Sequence, residues 1–211
     1  MVAGLAAGLA APAHAATPKD RYALGDSVML GAKDVMKRLG FRVVDAEESR
    51  QAYSGAAELR RRGASLPENV VVHLGTNGTF PLSSCHAMVK AAGPDRRVFL
   101  VTIHAPRSWE KGNNKVIRQC AANYRPGRVN VIDWNWAASR HAKWLYSDGI
   151  HLTPAGAKGY ARVIDAAIDR AASGATASAS SASATSASAA PTTGAGAGIP
   201  YASGTISVGI V

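Results

Sequence analysis

Val70-Val71-Val72-His73-Leu74 runs directly into Gly75-Thr76-Asn77-Gly78: five residues dominated by apolar β-formers, then a turn-forming quartet. Continuous apolar character, without alternation, belongs to a strand covered on both faces, and five residues are too few for a buried helix. Runs of the same kind recur outward from it. Tyr22-Ala23-Leu24-Gly25 and Phe41-Arg42-Val43-Val44-Asp45 precede it; Val98-Phe99-Leu100-Val101-Thr102-Ile103 and Val129-Asn130-Val131-Ile132-Asp133 follow. Between these lie amphipathic stretches over 29–39, 54–63, 82–92 and 113–124, and a last one over 154–172 opens at Pro154 behind Thr153. Strict β-α alternation predicts a five-stranded parallel sheet with helices on both faces, a three-layer α/β/α sandwich. In such a sheet the functional groups collect beyond the carboxyl ends of the strands.

Charge marks the limits of that domain. All 24 Lys and Arg lie from Lys19 to Arg170 and all 14 Asp and Glu from Asp20 to Asp169, within 211 residues. The folded domain is therefore expected over 17–172. A chain with 47% hydrophobic and 18% charged residues is neither intrinsically disordered nor collagen-like. The net charge of +10 favours anionic surroundings such as a polyanionic cell wall, nucleic acid or acidic lipid. Arg60-Arg61-Arg62, the basic run, has no interleaved aromatics and reads as a solvated helix face, so nucleic acid is not the expected partner.

The flanks carry different signals. Residues 1–16 are apolar and end in Ala13-His14-Ala15, the small-x-small pattern of a secretory signal peptide, though no Lys or Arg precedes the apolar run. The protein is expected to be secreted or held in the cell envelope. Residues 173–211 are rich in Ala, Ser, Thr and Gly and read as a flexible tail. In an exported protein the isolated pair Cys85 and Cys120 is expected to form one disulfide between two helices. Neither Cys-x-x-Cys nor His-Glu-x-x-His occurs, so no metal and no cofactor are expected.

The strand exits carry the chemistry. Ser27 follows Gly25-Asp26 and opens a helix, where backbone N–H groups and the helix dipole favour a developing oxyanion. By itself an Asp-Ser before a helix is explained by capping, which is the reading given to Asp26. A serine nucleophile needs a base and a group to orient it. Asp148-Gly149-Ile150-His151 supplies both on one tight turn, with Asp148 able to accept the His151 Nδ1 proton and leave Nε2 facing Ser27. Asp133, at the fifth strand exit, is a competing orienter.

Gly25-Asp26-Ser27, Gly75-Thr76-Asn77-Gly78 and Asp148-x-x-His151, in that order and at those exits, resemble three of the blocks of the SGNH (GDSL-type) hydrolases. Gly78 stands where many members have Asp, and Val70–Gly78 and Tyr146–Leu152 are similar to the SGNH domains of acyltransferase-3 membrane proteins, peptidoglycan O-acetyltransferases among them. The resemblance covers about 130 residues. It implies a flavodoxin-like strand order 2-1-3-4-5 and a Ser-His-Asp site for O-acyl groups. It also implies Ser27 as nucleophile, His151 as general base and acid, Asp148 as its orienter, and an oxyanion hole from Asn77 and the Ser27 N–H. The remaining family donor is a glycine after strand two. Ser49 occupies that place as a departure, and Gly55 is its rival.

His73, inside a strand, reads as a core histidine. His104, Trp109 and Trp144 are candidate substrate-binding residues, with Trp134 and Trp136 completing a set that core packing explains equally well. Three functions follow as expectations. The first is an exported serine esterase acting on acetylated carbohydrate or cell-wall glycan. The second is an O-acetyltransferase served by a separate membrane acyl-donor protein, and the third a noncatalytic wall-binding module. A monomer is expected.

Overall fold

The computed structural model describes residues 21–187, with side chains through Ser173. The sheet has five strands: β1 (Arg21–Gly25), β2 (Phe41–Ala46), β3 (Asn69–His73), β4 (Arg97–Val101) and β5 (Val129–Ile132). All neighbouring pairs are parallel, in the order β2-β1-β3-β4-β5, the order that the resemblance implied. The helices are α1 (Ser27–Arg38), α2 (Gly55–Arg62), α3 (Leu82–Ala92), α4 (Glu110–Ala122), α5 (Trp134–Ser139) and α6 (Pro154–Ala187).

Period-two alternation splits the strand residues between two cores. Ala23, Val71, Phe99, Val101 and Ile132 face α1, α5 and α6, meeting Met29, Met36, Trp134, Tyr160 and Ile164. Tyr22, Leu24, Val70, Val72 and Leu100 face α2, α3 and α4, meeting Leu59, Met88, Ile117 and Cys120. Both faces of the three central strands are buried, which is why those runs are continuously apolar. In β2 the pairing with β1 shifts between Arg21/Phe41 and Tyr22/Val43, so Arg42 bulges outward. The bulge puts Phe41 and Val44 on the same core face despite their odd spacing.

Arg21 pins α6 to the start of β1. Its guanidinium is buried and pairs with Asp165 and Asp169, one helical turn apart. The sulfurs of Cys85 in α3 and Cys120 in α4 lie 2.07 Å apart, at disulfide distance, beneath the opposite face.

Beyond shifts of a few residues at element ends, two elements differ from the sequence expectation. Helix α5 was not anticipated: six residues are too few to show a helical period, and its N-cap, Asp133, was read only as a strand exit. Helix α6 runs through Ala187, past the segment read as domain; alanine, the strongest helix former, recurs through that continuation alongside serine. Residues 21–175 make one compact unit. The expected signal peptide over 1–16, and the part of the tail beyond Ala187, lie outside the described residues.

Candidate active site

β1 ends at Gly25, and Asp26 caps α1 by accepting a hydrogen bond from the Val28 N–H at 3.1 Å. The chain turns this sharply because Gly25 lets α1 approach: a Cβ there would come within 2.5 Å of Met29 Cβ. Ser27 is therefore the first helical residue, and its N–H is among those an α-helix leaves unpaired.

The loop before α6 brings the partners. An isolated bridge joins Leu145 to Leu152, the Tyr146 N–H donates to the His151 carbonyl at 2.9 Å, and Gly149 takes φ 68° between them. That left-handed turn folds Asp148 back so that its Oδ1 accepts from the Ile150 and His151 N–H groups at 2.9 and 3.0 Å. Its Oδ2 lies 2.6 Å from His151 Nδ1, and His151 Nε2 lies 3.1 Å from Ser27 Oγ. The side chains of His151 and Asp148 are 49% and 44% exposed, so the constellation is open to solvent. Partial burial raises the Asp148 pKa, but the hydrogen bonds from His151 and from the Ile150 and His151 N–H groups outweigh it and hold the carboxyl at about 2.

Asp133, the competing orienter, is committed elsewhere. Its carboxylate accepts from Thr102 Oγ1 at 3.0 Å, the Trp136 N–H at 3.2 Å and Arg118 at 2.9 Å. Gly55 is a packing glycine, since a Cβ there would come within 2.4 Å of Met88 Sδ. Ser49, by contrast, lines a cleft of about 510 Å³ with Ser27, Leu30, Gly31, Glu48, Asn77 and His151. Its φ of 58° is the left-handed conformation that favours glycine. The Asn77 Nδ2 donates to the Arg50 carbonyl at 3.4 Å, which leaves its second hydrogen free.

His73 is buried against Tyr160, with Nδ1 2.7 Å from the hydroxyl, and burial pushes its pKa down despite the nearby Asp26. It is a core residue. His104 lines a separate cleft with Pro106, Arg107, Lys111 and Gly149, on the other side of the Asp148 turn. The Trp109 indole donates to the Thr76 carbonyl at 3.3 Å, and Trp144 stacks on Trp134 and His141. Neither tryptophan lines the cleft around Ser27.

Sequence reasoning missed the side chains that hold the loops. Buried Asn113 of α4 donates from Nδ2 to the Gly75 and Gly78 carbonyls at 2.9 and 2.7 Å and accepts from the Phe80 N–H at 2.8 Å. Buried Arg50 donates to the Gly25 carbonyl at 3.2 Å and to Asp45 Oδ1 at 2.9 Å, tying the exits of β1 and β2. The available signal for Asn113 was an amide on the helix face that carries Ile117 and Cys120.

No family model matches the chain. The Bacillus subtilis protein YrhL, named provisionally as a peptidoglycan O-acetyltransferase, is 34% identical over 146 residues, covering 67% of this chain and 22% of that protein. The peptidoglycan O-acetyltransferase OatA of Listeria monocytogenes is 31% identical over 163 residues, 74% of this chain and 26% of its own length. The chain thus spans about a quarter of the curated relatives it matches. Among solved structures, the C-terminal catalytic domain of Streptococcus pneumoniae peptidoglycan O-acetyltransferase A superposes with a TM-score of 0.64 at 23% identity, covering 73% of this chain and 94% of that one. A family 3 carbohydrate esterase from Talaromyces cellulolyticus gives a TM-score of 0.56 at 20% identity, covering 72% and 97%. With three ordered motifs meeting at one cleft on this sheet, and with relatives of this kind, the chain belongs to the SGNH, or GDSL-type, hydrolases.

Proposed function

We propose that this domain transfers O-acetyl groups onto a cell-wall glycan through a covalent acyl-serine. The observation that carries the proposal is the relay of Asp148 Oδ2 at 2.6 Å from His151 Nδ1 and His151 Nε2 at 3.1 Å from Ser27 Oγ. Ser27 Oγ attacks the carbonyl carbon of an acetyl ester and its proton passes to His151 Nε2. The oxyanion is held by the free Nδ2 hydrogen of Asn77 and the N–H groups of Ser27 and Ser49. As the intermediate collapses, the ester C–O bond breaks and the leaving oxygen takes the proton from His151. In the second half a glycan hydroxyl gives its proton to His151 and attacks the acetyl-serine carbonyl; the bond from the acyl carbon to Ser27 Oγ then breaks and Oγ takes the proton back from His151, releasing the acetylated glycan. The relatives' named activity supports transfer over the hydrolysis expected first from the sequence.

Hydrolysis is the second reading, favoured by the exposure of His151 and Asp148, which gives water access to the same intermediate. No helix among the described residues is long and apolar enough to cross a membrane. In the transfer reading a separate membrane protein supplies the acetyl donor on the outer side. Incubating the protein with an activated acetyl ester, with and without a chitooligosaccharide, tests both readings. Acetylated sugar as the main product is expected, dependent on Ser27. Acetate alone at saturating acceptor would replace transfer by hydrolysis, and undiminished turnover by Ser27→Ala would remove the serine mechanism.

A further inference from the structure

Gln51 sits between the two loops that carry the proposed oxyanion donors other than Ser27, and it uses both hydrogens of its side-chain amide to join them. One goes to the Ser49 carbonyl at 3.2 Å and the other to the Asn77 carbonyl at 3.1 Å. Both partners are acceptors, so only the NH2 end of the amide can satisfy them. The opposite end lies against Gly78: a Cβ on residue 78 would stand 2.9 Å from Gln51 Oε1. Gly78 leaves the room that Gln51 fills. The neighbouring Arg50 carbonyl accepts from Asn77 Nδ2 at 3.4 Å, so the two loops are joined in both directions.

We infer that Gln51 is a positioning residue that sets the separation and aim of the Ser49 N–H and Asn77 Nδ2, an inference that rests on the acyl-serine reading. Gln51 does not touch the reacting atoms in this scheme. It acts because each residue that carries a donor is anchored through its own carbonyl, and a donor displaced by about 1 Å can lose on the order of 10²-fold in rate. Oxyanion donors act mainly as the carbonyl oxygen gains charge, so their misplacement lowers kcat with little change in ground-state binding.

The test compares wild type, Ser27→Ala, Gln51→Glu, Gly78→Ala, Asn77→Ala and the Gln51→Glu/Asn77→Ala double variant on an activated acetyl ester. Rates are normalised to folded protein by circular dichroism. Gln51→Glu keeps the size but offers the two carbonyls a carboxylate with no hydrogen to donate. It is expected to lower kcat roughly 10- to 100-fold with KM within about threefold. Gly78→Ala is expected to do the same by displacing the amide, which keeps the test decisive if Gln51→Glu folds poorly. The double variant is expected to lose less than the product of the single losses, as coupled groups do. Turnover that requires Ser27, together with kcat unchanged in Gln51→Glu and Gly78→Ala, overturns the inference alone. Fully additive losses, or losses matched by the unfolded fraction, overturn it as well. Turnover that does not require Ser27 overturns both the inference and the reading beneath it.

Discussion

Ser49 keeps a left-handed backbone with a side chain attached, which costs on the order of 1 kcal/mol relative to an unstrained residue. If its contribution is the N–H, the hydroxymethyl group is dispensable. Ser49→Gly is then expected to keep kcat within about twofold and to leave stability equal or higher by up to about 1 kcal/mol. A large fall in kcat would assign the role to the side chain instead. Asn77→Ala is expected to behave oppositely, losing about 10²- to 10³-fold in kcat with little change in melting temperature. Asp148 gives a prediction about pH. Its carboxyl, ordinarily near 3.8, is held at about 2 in the fold. The stability it contributes is therefore complete above the ordinary value and is lost as pH falls through about 2. Asp148 stays ionised through the mildly acidic range, so a loss of turnover there is not due to its protonation. Asp148→Asn is expected to lower turnover severely, and Asp133→Asn to act on the stability of the α5 N-terminus. If Asp133→Asn is the slower enzyme per folded molecule, the orienter has been misassigned.

Helices α3 and α4 carry a sulfur pair whose closure over 35 residues is worth about 3–4 kcal/mol in the loop-entropy account. The pair sits among the core residues beneath the sheet, and Asn113 lies two turns of α4 away from Cys120. Reduction is therefore expected to lower the melting temperature while the rate per folded molecule stays near that of the oxidised protein. Thiols that alkylate without reductant in the native protein would contradict the bridge. The same two helices show what a sequence discloses at this scale. Residues 82–92 show an apolar stripe, and the helix occupies those residues. Helix α4 starts three residues earlier than its stripe, because Glu110 reaches back to accept from the Ala105 N–H at 2.6 Å, a contact that no periodicity encodes. Site residues divide in the same way. The candidates Ser27 and Asn77 were legible because each stands at a strand exit in a short motif, and Asp148 and His151 because they share one short turn just before α6. Gln51, Arg50 and Asn113 were not, because their meaning lies in carbonyls 2 to 38 residues away that only the folded chain brings near.

On the scale of the whole molecule, the polar groups gather at one end of the sheet and the chain is pinned at the other. The cleft lies beyond the carboxyl ends of β1, β2 and β3 and is open to solvent. In the proposed reaction that openness would leave the acetyl-serine to partition between water and acceptor, so the yield of transfer is expected to rise with acceptor concentration until the glycan hydroxyl is held in place at high effective molarity. At the opposite end, the Arg21 guanidinium grips Asp165 and Asp169, which brings the first described strand residue beside the last turns of α6 that pack on the sheet. Arg21 opens β1, whose five residues at about 3.3 Å each lead to the turn that presents Ser27. The domain thus has a tethering pole and a working pole. A bead or surface joined ahead of Arg21 is expected to leave ester turnover close to that of the free protein, whereas attachment through a residue at the rim of the cleft, such as Glu48, should block it; equal losses at both positions would show that the two poles are not separate. Held by its tethering pole, the domain would stand off its support with the serine facing outward, like a tool gripped by the handle.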